Sequence, residues 1–357
     1  MIPPLIKISL PLLILLLITS SCANTTVQPA TLSPSLLDTP ATGWYSVYFT
    51  DPGDPTTTSY RDGFDEELAA AINGALVSVD MAIYDLNLWS IRDALINAHQ
   101  RGIDVRVVTE SDNTDEQEIQ DLKDAGIQVV GDRHEGLMHD KFVVIDRSEV
   151  WTGSVNFTTG SVYLDNNHLI RLHSSKLASD YTAEFEQMFV DDHFGNEKSS
   201  QTPDPTVSIN GSLVEVYFSP TDGTLEHILS TVKSANESIT FLAYSFTSDE
   251  LADALIERAN AGIRVQGVFD KDQYHSNNGT EYDRLLNAGV EVRLDGNPRL
   301  MHDKVIIIDQ QVVITGSYNF SNNAEYNNDE NTLIIHDQQV AKLFADEFEK
   351  IYSEANR

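Results

Sequence analysis

A histidine, a lysine two residues on and an aspartate five further stand at His139, Lys141 and Asp146, and Gly153-Ser154-Val155-Asn156 follows them. The same set recurs as His302, Lys304 and Asp309, with Gly316-Ser317-Tyr318-Asn319 behind it. The register is constant, because 302 − 139, 304 − 141, 309 − 146, 317 − 154 and 319 − 156 all equal 163. Together the two copies hold a nucleophile, an acid and a group of hydrogen-bond donors. Lysine and asparagine donors suit an anionic centre, and a phosphodiester is the obvious candidate. One imidazole can attack phosphorus and form a covalent phospho-histidine; the other can protonate the departing alcohol and then activate water. Neither half suffices alone, which accounts for both copies keeping every member.

These side chains need rigid supports. His139 and Lys141 are two apart, and Phe142 to Ile145 is apolar and mostly β-branched, so a strand would project imidazole and ammonium to one face. Asp146 to Glu149 reads as a hairpin turn and Val150-Trp151-Thr152 as the returning strand, which delivers Gly153, Ser154 and Asn156 beside the histidine. Upstream, Trp44 to Phe49 reads as a strand, Phe64 to Ala75 as a helix, Val77 to Tyr84 as a strand and Ile91 to Gln100 as a helix stopped by Gly102. Ile103 to Val108 follows as a strand, Asp115 to Lys123 as a helix and Ile127 to Val130 as a strand. The second half repeats the order from Val214 to Phe218 onward, with Ala261-Gly262-Ile263 answering Arg101-Gly102-Ile103. Alternating strands and helices predict an α/β fold with a mixed sheet in each half.

The tandem H-x-K-x4-D and G-S-x-N signatures resemble the phospholipase D superfamily over about residues 44 to 352. That resemblance implies two pseudo-twofold-related halves, each a mixed sheet flanked by helices, with both motifs lining one site that uses neither metal nor cofactor. It implies His139 as nucleophile and His302 as general acid/base, with Lys141, Lys304, Asn156 and Asn319 on the phosphate oxygens. Ser154 and Ser317 would support the site, and Asp146 and Asp309 would be structural. The family often carries a downstream carboxylate that orients the histidine of the other half. Glu330 lies 28 residues after His302, whereas the matching position after His139 is Asn167. Glu330 is therefore expected to pair with His139 and favour it as nucleophile, with Asp165 a displaced substitute in the first half.

The 357-residue chain carries a formal net charge of −32. Such acidity disfavours an extended basic face for nucleic acid while leaving room for a local basic pocket. Lys7, the apolar run Leu10 to Ile18 and Thr19-Ser20-Ser21 have the order of a secretory signal, and the single cysteine, Cys22, resembles the lipidated first residue of a bacterial lipoprotein. The expected organisation is a signal peptide at 1–22, a Thr/Ser/Pro-rich tether at 23–43, one repeat at 44–195, a linker at 196–213 and the second repeat at 214–357. The expectation is an exported phosphodiesterase, anchored on the outer side of a membrane or secreted, that acts on phospholipid headgroups. A metal-independent endonuclease is the alternative within the family, and a catalytically silent lipoprotein binding phosphorylated ligands is the alternative outside it. The other histidines, His168 among them, read as surface or core residues, with His275 in a loop the best outside candidate for substrate contact. Tyr84/Trp89 and Tyr244/Phe246, just after matching strands, read by default as core and otherwise as a cleft mouth.

Overall fold

The computed structural model describes residues 43–52 and 59–356. The signal peptide, Cys22 and all but the last residue of the tether lie outside the described residues. The first half runs β1 (Tyr45–Phe49), α1 (Phe64–Gly74), β2 (Ser78–Ile83), α2 (Trp89–Gln100), β3 (Asp104–Thr109), α3 (Gln117–Asp124), β4 (Gln128–Gly131), β5 (Lys141–Ile145), β6 (Glu149–Gly153), α4 (Thr159–Tyr163), β7 (His168–His173) and α5 (Ser175–Phe189). The second runs β8 (Thr206–Ile209), β9 (Ser212–Ser219), α6 (Thr224–Lys233), β10 (Ser238–Ala243), α7 (Asp249–Asn260), β11 (Arg264–Phe269), α8 (Lys271–Ser276), α9 (Tyr282–Asn287), β12 (Glu291–Leu294), β13 (Lys304–Ile308), β14 (Val312–Gly316), α10 (Asn322–Tyr326), β15 (Glu330–His336) and α11 (Gln338–Glu354).

Each half builds one mixed sheet. The strand orders are β1-β7-β6-β5-β2-β3-β4 and β12-β11-β10-β13-β14-β15-β9-β8. In both, three parallel strands carry helical crossovers, and the motif hairpin joins them antiparallel, β5 on β2 and β13 on β10. Every residue of β5 and of β13 is buried, because helices cover both faces of each sheet. The outer layers are α1 and α2 on the first sheet and α6 and α7 on the second. Between the sheets lies one shared core into which α5 sends Tyr181 and Phe185 and α11 sends Phe344 and Phe348.

One sequence expectation changes here. The stretch read as a linker contains β8, which pairs antiparallel with β9 and extends the second sheet. Val207 and Ile209 alternate with exposed Thr206 and Ser208, a pattern only two apolar residues long that Pro203 and Pro205 obscure.

The motif aspartates face away from the histidine end of their strands. Asp146 accepts backbone N–H groups of Leu76, Val77 and Ser78 at 2.7 to 3.1 Å, and Asp309 those of Asn236, Glu237 and Ser238 at 2.8 to 2.9 Å. Burial opposes the charge on Asp309, but the three N–H groups prevail and hold its carboxyl below the usual range. Asp309→Ala should therefore lose about 1–2 kcal/mol of unfolding free energy at neutral pH. A depressed carboxyl contributes stability above its unfolded pKa and loses it as pH falls, so the gap between variant and wild type should close below about pH 4. Denaturant titrations at pH 7 and pH 3 check both the size and the sign.

Candidate active site

The glycine of each G-S-x-N stretch is dictated by close backbone approach. A Cβ on Gly153 would meet the His168 carbonyl oxygen at 2.3 Å, and one on Gly316 the Asn331 carbonyl oxygen at 2.2 Å. Replacing either with alanine should push β6 from β7, or β14 from β15, and disturb the serine that follows; a lowered thermal midpoint together with lost activity is the expected reading.

The histidines are pinned by the opposite half. His139 donates its backbone N–H to the Asp329 carbonyl at 3.0 Å, and His302 donates to the Asn166 carbonyl at 2.9 Å. Return bonds run from Asp329 N–H to the Leu137 carbonyl and from Asn166 N–H to the Leu300 carbonyl. Each forms a one-residue parallel bridge, Met138 with Asp329 and Met301 with Asn166. The residue after each bridge then meets a ring nitrogen. Glu330 Oε2 lies 2.8 Å from His139 Nδ1, and Asn167 Oδ1 lies 2.9 Å from His302 Nδ1. Asn167 Nδ2 donates to the Ser161 carbonyl at 3.0 Å, so the amide oxygen faces His302. His302 therefore carries its proton on Nδ1, which leaves Nε2 the nitrogen for chemistry.

Lys141 donates to the His139 carbonyl and Lys304 to the His302 carbonyl, each at 2.7 Å, and both lysines are 1% exposed. Burial, then Lys141 and Lys304, push the His139 imidazole well below its ordinary range. Burial, both lysines and His139 do the same to His302. Burial also lowers Lys141 to about 8 and, with Lys141 beside it, Lys304 to about 7. Glu330 is raised to about 8 by burial, against the opposing pull of Lys141. Burial thus favours the neutral form of each of these groups, and an anionic ligand would favour the protonated imidazoles and ammoniums. Asn156 and Asn319 are half-buried, and the Oδ1 of each is buried without a hydrogen-bond partner among the described residues.

Ser154 Oγ lies 2.9 Å from Asn167 Oδ1 and 3.1 Å from Asp303 Oδ1. Ser317 accepts the Asn331 N–H at 3.0 Å. Beneath them are residues the sequence reading passed over. His168 is fully buried, with Nδ1 2.6 Å from Asp303 Oδ1 and Nε2 2.6 Å from Thr315 Oγ1. Its counterpart by the offset of 163, Asn331, donates to Asp140 Oδ1 at 2.9 Å and accepts from Thr152 at 2.7 Å. The repeat offset was the signal that could have found them: Asp140 matches Asp303, and both sit inside the His-x-Lys triplets.

Two earlier expectations, for Asp165 and for the tyrosines, are corrected by geometry. Asp165 pairs with Arg299 at 3.0 Å, and it is Asn167 that holds His302, since the 28-residue spacing is kept in both halves. His275 lies on α8 with its ring 4.9 Å from Tyr274, on the same helix as Gln273, whose side chain donates to the Tyr244 hydroxyl at 3.1 Å. Tyr84 and Tyr244 are not core residues: their rings stand edge-on to His139 and His302 at 5.1 and 4.4 Å. Phe246 is core, and Trp89 is 68% exposed.

Among the described residues no group of three or more His, Cys, Asp or Glu has the arrangement to hold a metal ion. Two imidazoles held at Nδ1, two lysines and two asparagines form an arrangement for covalent and acid–base work on a phosphate ester.

The family described as "Cardiolipin synthase, PLD-like domain" matches residues 68–189 and 228–352, one match in each half. The chain belongs to the phospholipase D-like family. It is 37% identical over 135 residues to the mitochondrial cardiolipin hydrolase of Homo sapiens, covering 38% of this chain and 53% of that protein. A phospholipase D of Rickettsia typhi (strain ATCC VR-144 / Wilmington) is 33% identical over 155 residues, covering 42% of this chain and 76% of that one. The chain spans between 53% and 60% of the length of the cardiolipin hydrolases it matches. Its fold is similar to that of a phosphatidylserine synthase from Haemophilus influenzae Rd KW20, at a TM-score of 0.62 and 14% identity, over 80% of this chain and 83% of that one.

Proposed function

We propose that the protein is a phosphodiester hydrolase of the phospholipase D type, acting on phospholipid headgroup esters through a phospho-histidine. The observation that carries this is the pair of buried histidines, each held at Nδ1 by the opposite half and each flanked by a lysine.

In this reading the phosphate enters between Lys141 and Lys304, and its charge restores protons to a cluster that burial keeps neutral. His139 Nε2 attacks phosphorus while Glu330 takes up the positive charge developing on the ring. His302, charged by the bound anion, gives its Nε2 proton to the leaving alcohol, and the P–O bond breaks. His302 then removes a proton from water, the water oxygen attacks phosphorus, and the P–N bond to His139 breaks. Asn156 and Asn319 donate to the equatorial oxygens through their amide nitrogens.

Phospholipid is the substrate favoured by two facts. The family's description and the relatives above name lipid chemistry. A net charge of −32 opposes tight binding of a polyanionic duplex. The reading extends to domains and place: two catalytic halves at 44–195 and 214–357, exported under the 1–22 signal and anchored through Cys22. Release of headgroup from vesicles of phosphatidylcholine, phosphatidylethanolamine and cardiolipin, unchanged by EDTA, is the expected result. Cleavage of plasmid DNA in EDTA without headgroup release would move the assignment to the nuclease branch. Silence on both, with phosphate esters still bound, would leave a binding protein.

A further inference from the structure

The two floors of the site are not equivalent. Under His302 the positions corresponding to Asp329 and Glu330 are Asn166 and Asn167. The first half's side therefore carries two buried carboxylates that the other side lacks, and Asp140 and Glu184 lie in the same cluster. Glu330 faces Lys141 and Lys304, and a further cation answers Asp329 and Glu184. Lys198, on the segment joining the halves, has a fully buried side chain whose Nζ reaches Asp329 at 2.7 Å, the Ser219 carbonyl at 3.2 Å, and Glu184. Asp329 is the residue whose carbonyl holds the His139 backbone, and its side chain also accepts the Gly195 N–H at 2.7 Å.

From this geometry we infer that Lys198 is a positioning residue for the His139–Glu330 pair, the counter-ion that lets acidic Asp329 stand beside Glu330 under one histidine only. It touches no reacting atom. It acts by neutralising Asp329, Asp140 and Glu184, so that the local field leaves Glu330 able to ionise when His139 becomes positive. The inference rests on the phosphodiesterase reading for its effect on turnover, and on geometry alone for its effect on the pair. The charged and titratable groups facing the pair are His302, Lys141, Lys304, Asp140, Tyr84 and Tyr318; those facing Lys198 are Glu184, Asp329 and Asp140.

The second half has already solved the same problem without a lysine, by using Asn166. That supplies the test. Lys198→Met is compared with wild type and with the double variant Lys198→Met/Asp329→Asn, whose amide oxygen can still accept the Gly195 N–H. Two readouts are taken on folded protein: the pH midpoint of proton uptake by the His139–Glu330 pair, followed by NMR of labelled histidine, and the pH dependence of kcat and KM. Removing a nearby cation favours protonation of both groups, so in Lys198→Met the midpoint should rise by about half a pH unit or more. The kcat should fall by roughly 10–100-fold with little change in KM, and its acidic limb should move upward. The double variant should return both readouts toward wild type. A single variant that loses thermal stability while keeping the wild-type midpoint and acidic limb would overturn the inference. So would a double variant as impaired as the single one, because a packing role gains nothing from removing charge. If wild type hydrolyses none of the phosphodiesters, the functional reading fails, and the NMR midpoint still decides the role of Lys198.

Discussion

Replacing His139 with alanine is expected to lower kcat by about 10⁴–10⁶-fold and to remove the covalent intermediate altogether. The expectation follows from position. His139 is the ring that faces a carboxylate, Glu330 at 2.8 Å, while His302 faces the neutral amide of Asn167. Phosphorylation of an imidazole leaves it positively charged, and a carboxylate in a buried site stabilises that charge far better than an amide does. Rapid quench with substrate labelled at phosphorus should trap an acid-labile adduct in wild type. His302→Ala should still form the adduct from a substrate with a good leaving group and should then accumulate it, because the ring that activates water is gone. Label recovered on His302 would reverse the two roles.

The second large effect is expected at Glu330. Glu330→Gln keeps the shape and the hydrogen bond yet removes the charge, and should reduce kcat by about 10²–10⁴-fold with KM little altered. Burial raises this carboxyl to about 8, so the free site holds it protonated near neutrality, and turnover through the charged form should climb as pH rises toward that value. In Glu330→Gln this limb should disappear from the kcat profile. The reciprocal change, Asn167→Asp, installs a carboxylate beneath His302. It adds charge to a buried site with no counterpart of Lys198 among the described residues, so it should lower the folding midpoint and leave turnover impaired. Wild-type turnover in Glu330→Gln would mean that the carboxylate merely packs against the ring.

Much of this was legible because the repeat is a ruler. A constant offset of 163 marks His139, Lys141, Ser154 and Asn156 against their partners without any structure. The apolar runs of β5 and β13 announced buried strands, and Glu330 was traceable by its spacing from His302. What stayed hidden were residues lacking a local pattern. His168 reads as one histidine among ten, yet it bonds to Asp303, 135 residues away. Lys198 sits in a polar stretch that resembles a solvated linker, and its partner Asp329 is contributed by the other half. Tyr84 and Tyr244 follow buried strands, so aromatic packing was the default reading; only the approach of the histidines from neighbouring strands turns them toward the site.

The sequence by itself determined the parts: a duplicated strand-hairpin, the side chains each copy presents, and the adjacent carboxylates Asp329 and Glu330 that break the symmetry against Asn166 and Asn167. Side-chain alternation along a strand and the steric need for glycine at a close approach are local physics, and they act wherever those residues stand. Tertiary structure alone decided how the parts meet. The bridges from Met138 to Asp329 and from Met301 to Asn166 cross between halves, and they place each ring nitrogen on a residue of the opposite repeat. Burial in the shared interior then shifts His139, His302, Lys141, Lys304 and Glu330 toward their neutral forms, because desolvation depends on everything packed around a side chain and on no stretch of sequence taken alone.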